Sequence, residues 1–248
     1  MIDLTTLNPP QREAVLAGPG PLLVLAGAGS GKTRVLTHRV ARLIDDGCAP
    51  WSILAITFTN KAAREMKDRI RLLVGDRAEE VWVSTFHACC ARILRRDIEK
   101  LGYQRGFSIY DDDDQMGLIK TIVKELNLND KMYPAREIKS IVSDAKNRLL
   151  LPGEWEKEAG SDFRNRKIAD VYRRYEKALK ASNALDFDDL IMKTMELFTE
   201  HAPVLEYYRR KFEYILVDEY QDTNLAQYEL VRLLAGEKKN VCVVGDDD

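Results

Sequence analysis

The stretch Leu22-Leu23-Val24-Leu25-Ala26-Gly27-Ala28-Gly29-Ser30-Gly31-Lys32-Thr33 constrains this chain more than any other. A short apolar run enters a glycine-rich turn, and the turn ends in Gly-Lys-Thr. That order predicts a strand, a phosphate-cradling loop and a helix start. Glycines let backbone N–H groups approach a polyphosphate, and with the helix N-terminus they present positive potential to it. Ala26, Gly27, Ala28, Gly29, Ser30, Gly31, Lys32 and Thr33 are therefore candidate nucleotide-binding residues. Lys32 would reach the β- and γ-phosphates and the Thr33 hydroxyl would hold Mg²⁺. The usual pattern opens on glycine, and Ala26 can stand there if its φ is negative. Arg34 either flanks the nucleotide or is an ordinary solvated arginine.

Strands that end in polar turns recur along the chain. Ile53–Phe58 is nearly all apolar, as buried parallel strands are, and it runs into Thr59, Asn60 and a helix start. Val81–Thr85 repeats the design and ends at Phe86 and His87. Ligands of open α/β sheets bind at the carboxyl ends of strands, which puts Thr57, Phe58, Thr59, Asn60, Thr85 and His87 on the ligand-facing edge. Phe58 either stacks on a base or is core, and Asn60 either meets phosphate or caps the helix. His38 and His201 are isolated in sequence, so His87 reads as a hydrogen-bonder to phosphate or backbone and not as a metal ligand. Upstream, Asn8 before Pro9 and Pro10 reads as a helix N-cap. The Gln11 amide, which donates and accepts, suits the edge of adenine or is simply solvated.

The second decisive stretch is Tyr214-Ile215-Leu216-Val217-Asp218-Glu219, an apolar strand that ends in adjacent acids. Beside a phosphate loop, Asp218 would hold Mg²⁺ and Glu219 would activate the attacking water. Val241–Val244 is a further buried strand, and a chain that stops at Asp248, just after it, reads as a fragment.

Between these halves the βα alternation stops. From about residue 103, helical patterns cover 111–126, 134–149, 162–182 and 186–200, an expected all-helical insertion. The aspartates at 111–114 suit a helix N-terminus and imply no metal site. Residues 131–180 hold 13 Lys and Arg against 8 Asp and Glu, a balance of 13 − 8 = +5. That excess is either a face for a nucleic-acid backbone or the solvated side of helices. Phe187 is core or stacking. The formal charge of the chain is −2, so any nucleic-acid surface must be a local patch. Cys48, Cys89, Cys90 and Cys242 form no Cys-x-x-Cys pair, which reads as free thiols in a reducing compartment. No secretory leader or bilayer-length apolar run is visible, and a cytoplasmic location is expected.

Taken together, these stretches resemble superfamily 1 DNA helicases of the UvrD/Rep/PcrA type, in order along essentially the whole chain. Leu7–Gln11 is similar to the Q motif, Ala26–Thr33 to motif I, Thr57–Ala63 to motif Ia and Ser84–His87 to motif Ib. Leu185–Leu190 resembles the segment that closes the inserted domain, Asp218–Asp222 motif II and Gly245–Asp248 the opening of motif III. The resemblance implies a RecA-like α/β P-loop domain with a parallel sheet. Subdomain 1A would comprise residues 1–102 and 201–248, and the helical subdomain 1B residues 103–200. It implies ATP and Mg²⁺ as cofactors, and hydrolysis coupled to 3′-to-5′ movement on single-stranded DNA and at single-strand/double-strand junctions, in repair or replication. Gln11 would contact adenine. Lys32, Asp218 and Glu219 would be catalytic, Thr33 and Asp218 metal-binding, and Thr57, Phe58, Thr59, Asn60, Thr85, His87 and Phe187 would lie along DNA. A second motor domain would be missing, so weak nucleotide binding and no unwinding are expected of these residues alone. Competing readings are a helicase–nuclease subunit, a nucleic-acid module with a vestigial P-loop, and a small-molecule kinase. The last leaves Thr57–Asn60, Ser84–His87 and the insertion unexplained.

Overall fold

The computed structural model describes residues 2–27, 29–160 and 162–246. Two compact units divide the chain: Met1–Cys89, Ala202–Thr223 and Tyr228–Asp248 form the first, Cys90–His201 and Asn224–Gln227 the second.

The first unit opens with α1 (Pro9–Leu16), capped by Asn8, whose side chain accepts from the Gln11 N–H while Gln11 reaches back to the Asn8 N–H. There follow β1 (Leu22–Leu25), α2 (Lys32–Asp45), β2 (Ile53–Thr57), α3 (Asn60–Val74), β3 (Trp82–Thr85) and α4 (Phe86–Asp97), where the chain leaves this unit. The second unit adds β4 (Ser108–Tyr110), α5 (Asp112–Glu125), α6 (Ala135–Asn147), α7 (Pro152–Ala159), α8 (Phe163–Ala181), β5 (Ala184–Asp186) and α9 (Asp189–Glu200). The chain then returns through α10 (Ala202–Lys211), β6 (Tyr214–Val217), α11 (Leu225–Ala235) and β7 (Val241–Gly245).

Among the described residues the first unit holds a five-stranded, all-parallel sheet in the order β1-β7-β6-β2-β3. Leu25 lies opposite Gly245, and Ile56 opposite both Val217 and Ser84, so the carboxyl ends of all five strands share one edge. β2 is an interior strand, between β6 and β3, and its five residues are buried without alternation, as a strand covered on both faces requires. Leu36, Val40, Ala41 and Ile44 form the stripe of α2 that packs with Met66 and Ile70 of α3 on Ile53, Ala55, Leu216, Cys242 and Val244. This layer fixes where the turns after β1 and β6 emerge.

The second unit has its own core, built from Ile119, Ile122, Val142, Trp155, Ile168, Tyr172 and Tyr175 among others. Asp111 caps α5 by accepting from the N–H groups of Asp113 and Asp114, the helix-terminal role expected of the aspartate run. The expectation of an all-helical insertion is corrected, because β4 and β5 pair in parallel, with Ser108 opposite Ala184 and Tyr110 opposite Asp186. Asn183, at φ +47, turns the chain out of α8, and its side chain accepts from the Gln104 N–H, which sets that register. A helix expected from 186 therefore starts only at Asp189. Within residues 131–180, Arg148, Arg164 and Arg173 pair with carboxylates of the same segment, which leaves its excess unchanged, whereas Lys139 pairs with Asp112 and the buried Lys146 with Asp186 and Asp189, carboxylates from outside it. Among the described residues no cysteine is in a disulfide; Cys89, Cys90 and Cys242 are buried and Cys48 is half-buried.

Candidate nucleotide-binding site

The turn after β1 is shaped by its glycines. Gly29 and Gly31 stand at φ +75 and +90, where a side chain would be strained, whereas Ala26 keeps a negative φ and tolerates its methyl group. A Cβ on Gly31 would also lie 2.8 Å from the Gln11 amide nitrogen. That nitrogen donates to the Ser30 carbonyl at 2.8 Å, so Gln11 ties α1 to the loop while its oxygen serves the α1 cap. Ala28 of the predicted loop lies outside the described residues, as do Asp247 and Asp248.

Gly31 caps α2, so Lys32 is the first helical residue and the following N–H groups face the loop's concavity. Its ammonium donates to the carbonyls of Ala26 (2.8 Å) and Gly27 (3.3 Å) and pairs with Asp246 just past β7. The hydrogen bond to Asp246 raises the Lys32 pKa, burial opposes it, and the charges of Asp246, Glu219 and Asp218 add to it.

The acid pair after β6 meets the loop directly. The Thr33 hydroxyl donates to Asp218 Oδ2 at 2.9 Å, and Asp218 is buried. Burial pushes the Asp218 carboxyl above the usual carboxylate range, with the Thr33 bond and Lys32 pulling the other way and Glu219 reinforcing the rise. Glu219 takes φ +52 and ψ +45, a left-handed conformation that costs a non-glycine residue strain. A cavity of about 410 Å³ is lined by Gly29, Gly31, Lys32, Thr33, Arg34, Arg69, Glu219 and Asp246. Arg69, an exposed residue of α3, joins Arg34 there, and one arginine among the many of a charged helix gave no signal in the sequence.

The other predicted residues fall as follows. Thr57 and Thr85 are buried at the strand ends, and Thr85 Oγ1 accepts from the Ala88 N–H to start α4. Phe58 is half-buried, with its ring edge-on to Phe86 at 5.5 Å between centroids. Thr59 caps α3 by accepting from the Ala62 N–H, which corrects the capping alternative for Asn60, an exposed first helical residue. Burial pushes the His87 imidazole down to about 4, so it is neutral near pH 7 and any contact to phosphate is a neutral one. Phe187 belongs to the second unit and is 52% exposed, so it is not core.

Nucleoside triphosphatases of the RecA-like P-loop class are built this way: a phosphate loop and an acidic strand end meet on the carboxyl edge of one parallel sheet, joined here through Thr33 and Asp218. The chain belongs to the UvrD/REP helicase N-terminal domain family, which it matches over residues 7–248. It is 56% identical over 246 residues to the ATP-dependent DNA helicase PcrA of Bacillus subtilis (strain 168), covering 99% of this chain and 33% of that protein. PcrA of Staphylococcus aureus (strain Mu50 / ATCC 700699) is 54% identical over 246 residues, 99% of this chain and 34% of the relative. PcrA of Staphylococcus epidermidis is 54% identical over 243 residues, 98% and 33% respectively. The chain thus spans about a third of the length of these relatives.

Proposed function

We propose that this chain is the nucleotide-binding part of an ATP-dependent DNA helicase that moves 3′ to 5′ on single-stranded DNA and opens junctions in the cytoplasm. The observation that carries the reading is the Thr33–Asp218 hydrogen bond, which makes the loop and the acid strand one site. In the proposed mechanism the loop N–H groups and Lys32 bind and orient the β- and γ-phosphates. Thr33 Oγ1 and Asp218 Oδ2 are hard oxygen donors already in contact, the donor set a magnesium ion takes. Bound there, the ion would neutralise phosphate charge. Glu219 takes the proton of the attacking water, and it lines the same cavity as Lys32. Gln11 and Arg34 flank the nucleotide.

In the same reading subdomain 1A comprises residues 1–102 and 201–248 and subdomain 1B residues 103–200; the first unit corresponds to 1A except that residues 90–102, 201 and 224–227 group with the second unit. DNA runs past Thr57, Phe58, Thr59, Asn60, Thr85 and His87, with Phe187 offered by the other unit. The buried threonines shape the edge through their backbone, while Phe58 and Asn60 are accessible to DNA. The test is Lys32→Ala in the longer protein. ATPase activity is expected to vanish while single-stranded DNA binding largely persists; retention of ATPase would overturn the reading, and loss of both would point to misfolding checked by circular dichroism.

A further inference from the structure

We propose that Gln221 is the positioning residue for Glu219, holding its carboxylate against the turn that follows β7. The proposal rests on reading Glu219 as the base of hydrolysis. Gln221 sits two residues beyond Glu219, in a single turn of 3-10 helix over Tyr220–Asp222. Its amide nitrogen donates to Glu219 Oε2 at 2.7 Å, and its amide oxygen accepts from the Asp246 N–H at 3.1 Å. The amide is therefore used at both ends, and the reverse orientation would set oxygen against carboxylate and N–H against N–H.

Two further features fit a clamp. A Cβ on Gly245 would lie 2.9 Å from the Gln221 amide oxygen, so the close approach of this side chain to β7 depends on that glycine. Glu219 itself stands in a strained backbone conformation, which by itself leaves the carboxylate free to rotate about its side-chain bonds. Gln221 removes that freedom. The carboxylate of Asp246, whose N–H holds Gln221, pairs with Lys32. A continuous line of contacts thus runs from the loop lysine through the β7 turn to the base, and a shift of Lys32 toward a phosphate is felt at Glu219 through one amide. Preorganising a base by a second side chain is worth rate without ground-state affinity.

The experiment compares Gln221→Leu, Gln221→Glu, Glu219→Gln and the Glu219→Gln/Gln221→Leu double variant in the longer helicase, reading kcat and KM for ATP with magnesium. Gln221→Glu keeps the shape and the acceptor for the Asp246 N–H but replaces the donor to Glu219 with a repelling carboxylate, whereas Gln221→Leu removes the donor without adding charge. The expected result is a fall in kcat of about tenfold for both Gln221 variants, the worth of one hydrogen bond to a charged group, with KM within about twofold. In the Glu219→Gln background Gln221→Leu is expected to cost nothing further. Gly245→Ala, which crowds the amide from the other side, is expected to lower kcat similarly. Wild-type kcat in Gln221→Glu, an effect confined to KM, or full additivity in the double variant would each overturn the clamp. An ATPase indifferent to Lys32→Ala would instead overturn the site reading on which it rests.

Discussion

Asp218, proposed above as a magnesium-binding residue, shows how such a role can oppose stability. Burial raises its carboxyl pKa in the folded chain, so the folded state prefers the protonated form and stability declines as pH rises through the carboxylate range. Asp218→Asn keeps an oxygen for the Thr33 hydroxyl and removes the buried charge. The expected outcome is a higher melting temperature for the protein without nucleotide, together with loss of the magnesium-dependent tightening of ATP binding; calorimetry and nucleotide titration with and without magnesium check both arms. A lower melting temperature would mean that the charge contributes to folding. His87 behaves in the opposite sense with pH. Its folded pKa, about 4, lies below the ordinary histidine value of 6.5, so the unfolded chain takes up the proton first. Its contribution is intact above pH 6.5 and is lost as pH falls toward 4. Replacing it with Gln is expected to flatten the stability profile across that window, measured by denaturant midpoints at successive pH values.

At the scale of elements, legibility followed length and periodicity. β2, β6 and β7 show as apolar runs, and the stripe of α2 at Leu36, Val40 and Ile44 is where its period puts it. β4 and β5 have three residues each, too few to show alternation, and β5 is set by the backbone of Asn183 and not by its own side chains. The loop and the acid pair could be read because each needs fixed residue types at fixed spacing. Arg69 and the Gln221 bridge could not, since both depend on which elements the fold brings together. The same holds for the buried charge cluster of the second unit. Lys146 contacts Asp186 at 2.7 Å, Asp189 at 2.8 Å and Glu176 at 2.7 Å, and the Tyr175 hydroxyl donates to Asp186. Burial alone pulls Lys146 down, but the three carboxylates outweigh it and keep the ammonium protonated far above the ordinary lysine range. Asp186 also accepts from the Asp189 N–H, and Asp189 from the Asp186 N–H, so the lysine of α6 pins the junction of β5 and α9. Lys146→Met removes the cation in direct contact with Asp186 and Asp189 and leaves Lys193, 3.8 Å from Glu176, to offset the buried carboxylates, which costs about 3–5 kcal/mol. At about 2–4 °C per kcal/mol for a chain of this size, the melting temperature is expected to fall by about 10 °C. Adding Asp186→Asn and Asp189→Asn is expected to recover most of it; no recovery would assign the loss to packing.

At the scale of the molecule, what one RecA-like unit can supply sets what the chain can do. Lys32, Arg34 and Arg69 give the cavity three cations against Glu219 and Asp246, enough to attract a triphosphate. Charge that develops on the transferring phosphoryl group calls for further donors, and in other P-loop enzymes a supplied arginine is worth about 10³–10⁵ in rate. Arg34 and Arg69 are both exposed in this unit, and long exposed side chains are poorly preorganised for that task. Under the proposed helicase reading, movement along DNA would draw on a second body beside this one. This chain spans about a third of the PcrA relatives it matches, and 242 of its 248 residues, 7 to 248, fall to one N-terminal family domain. The 248-residue chain by itself is therefore expected to bind ATP with magnesium weakly and to separate no strands. Its phosphate release should be unmoved by single-stranded DNA and lie at least about a thousandfold below that of the longer protein, by the arginine argument above. Fluorescent-nucleotide titration, a strand-displacement assay and phosphate release with and without oligonucleotide make the comparison. A brisk, DNA-stimulated ATPase from this chain alone would show that the cavity's own arginines suffice, and would move the source of catalytic power from a second body to Arg34 and Arg69.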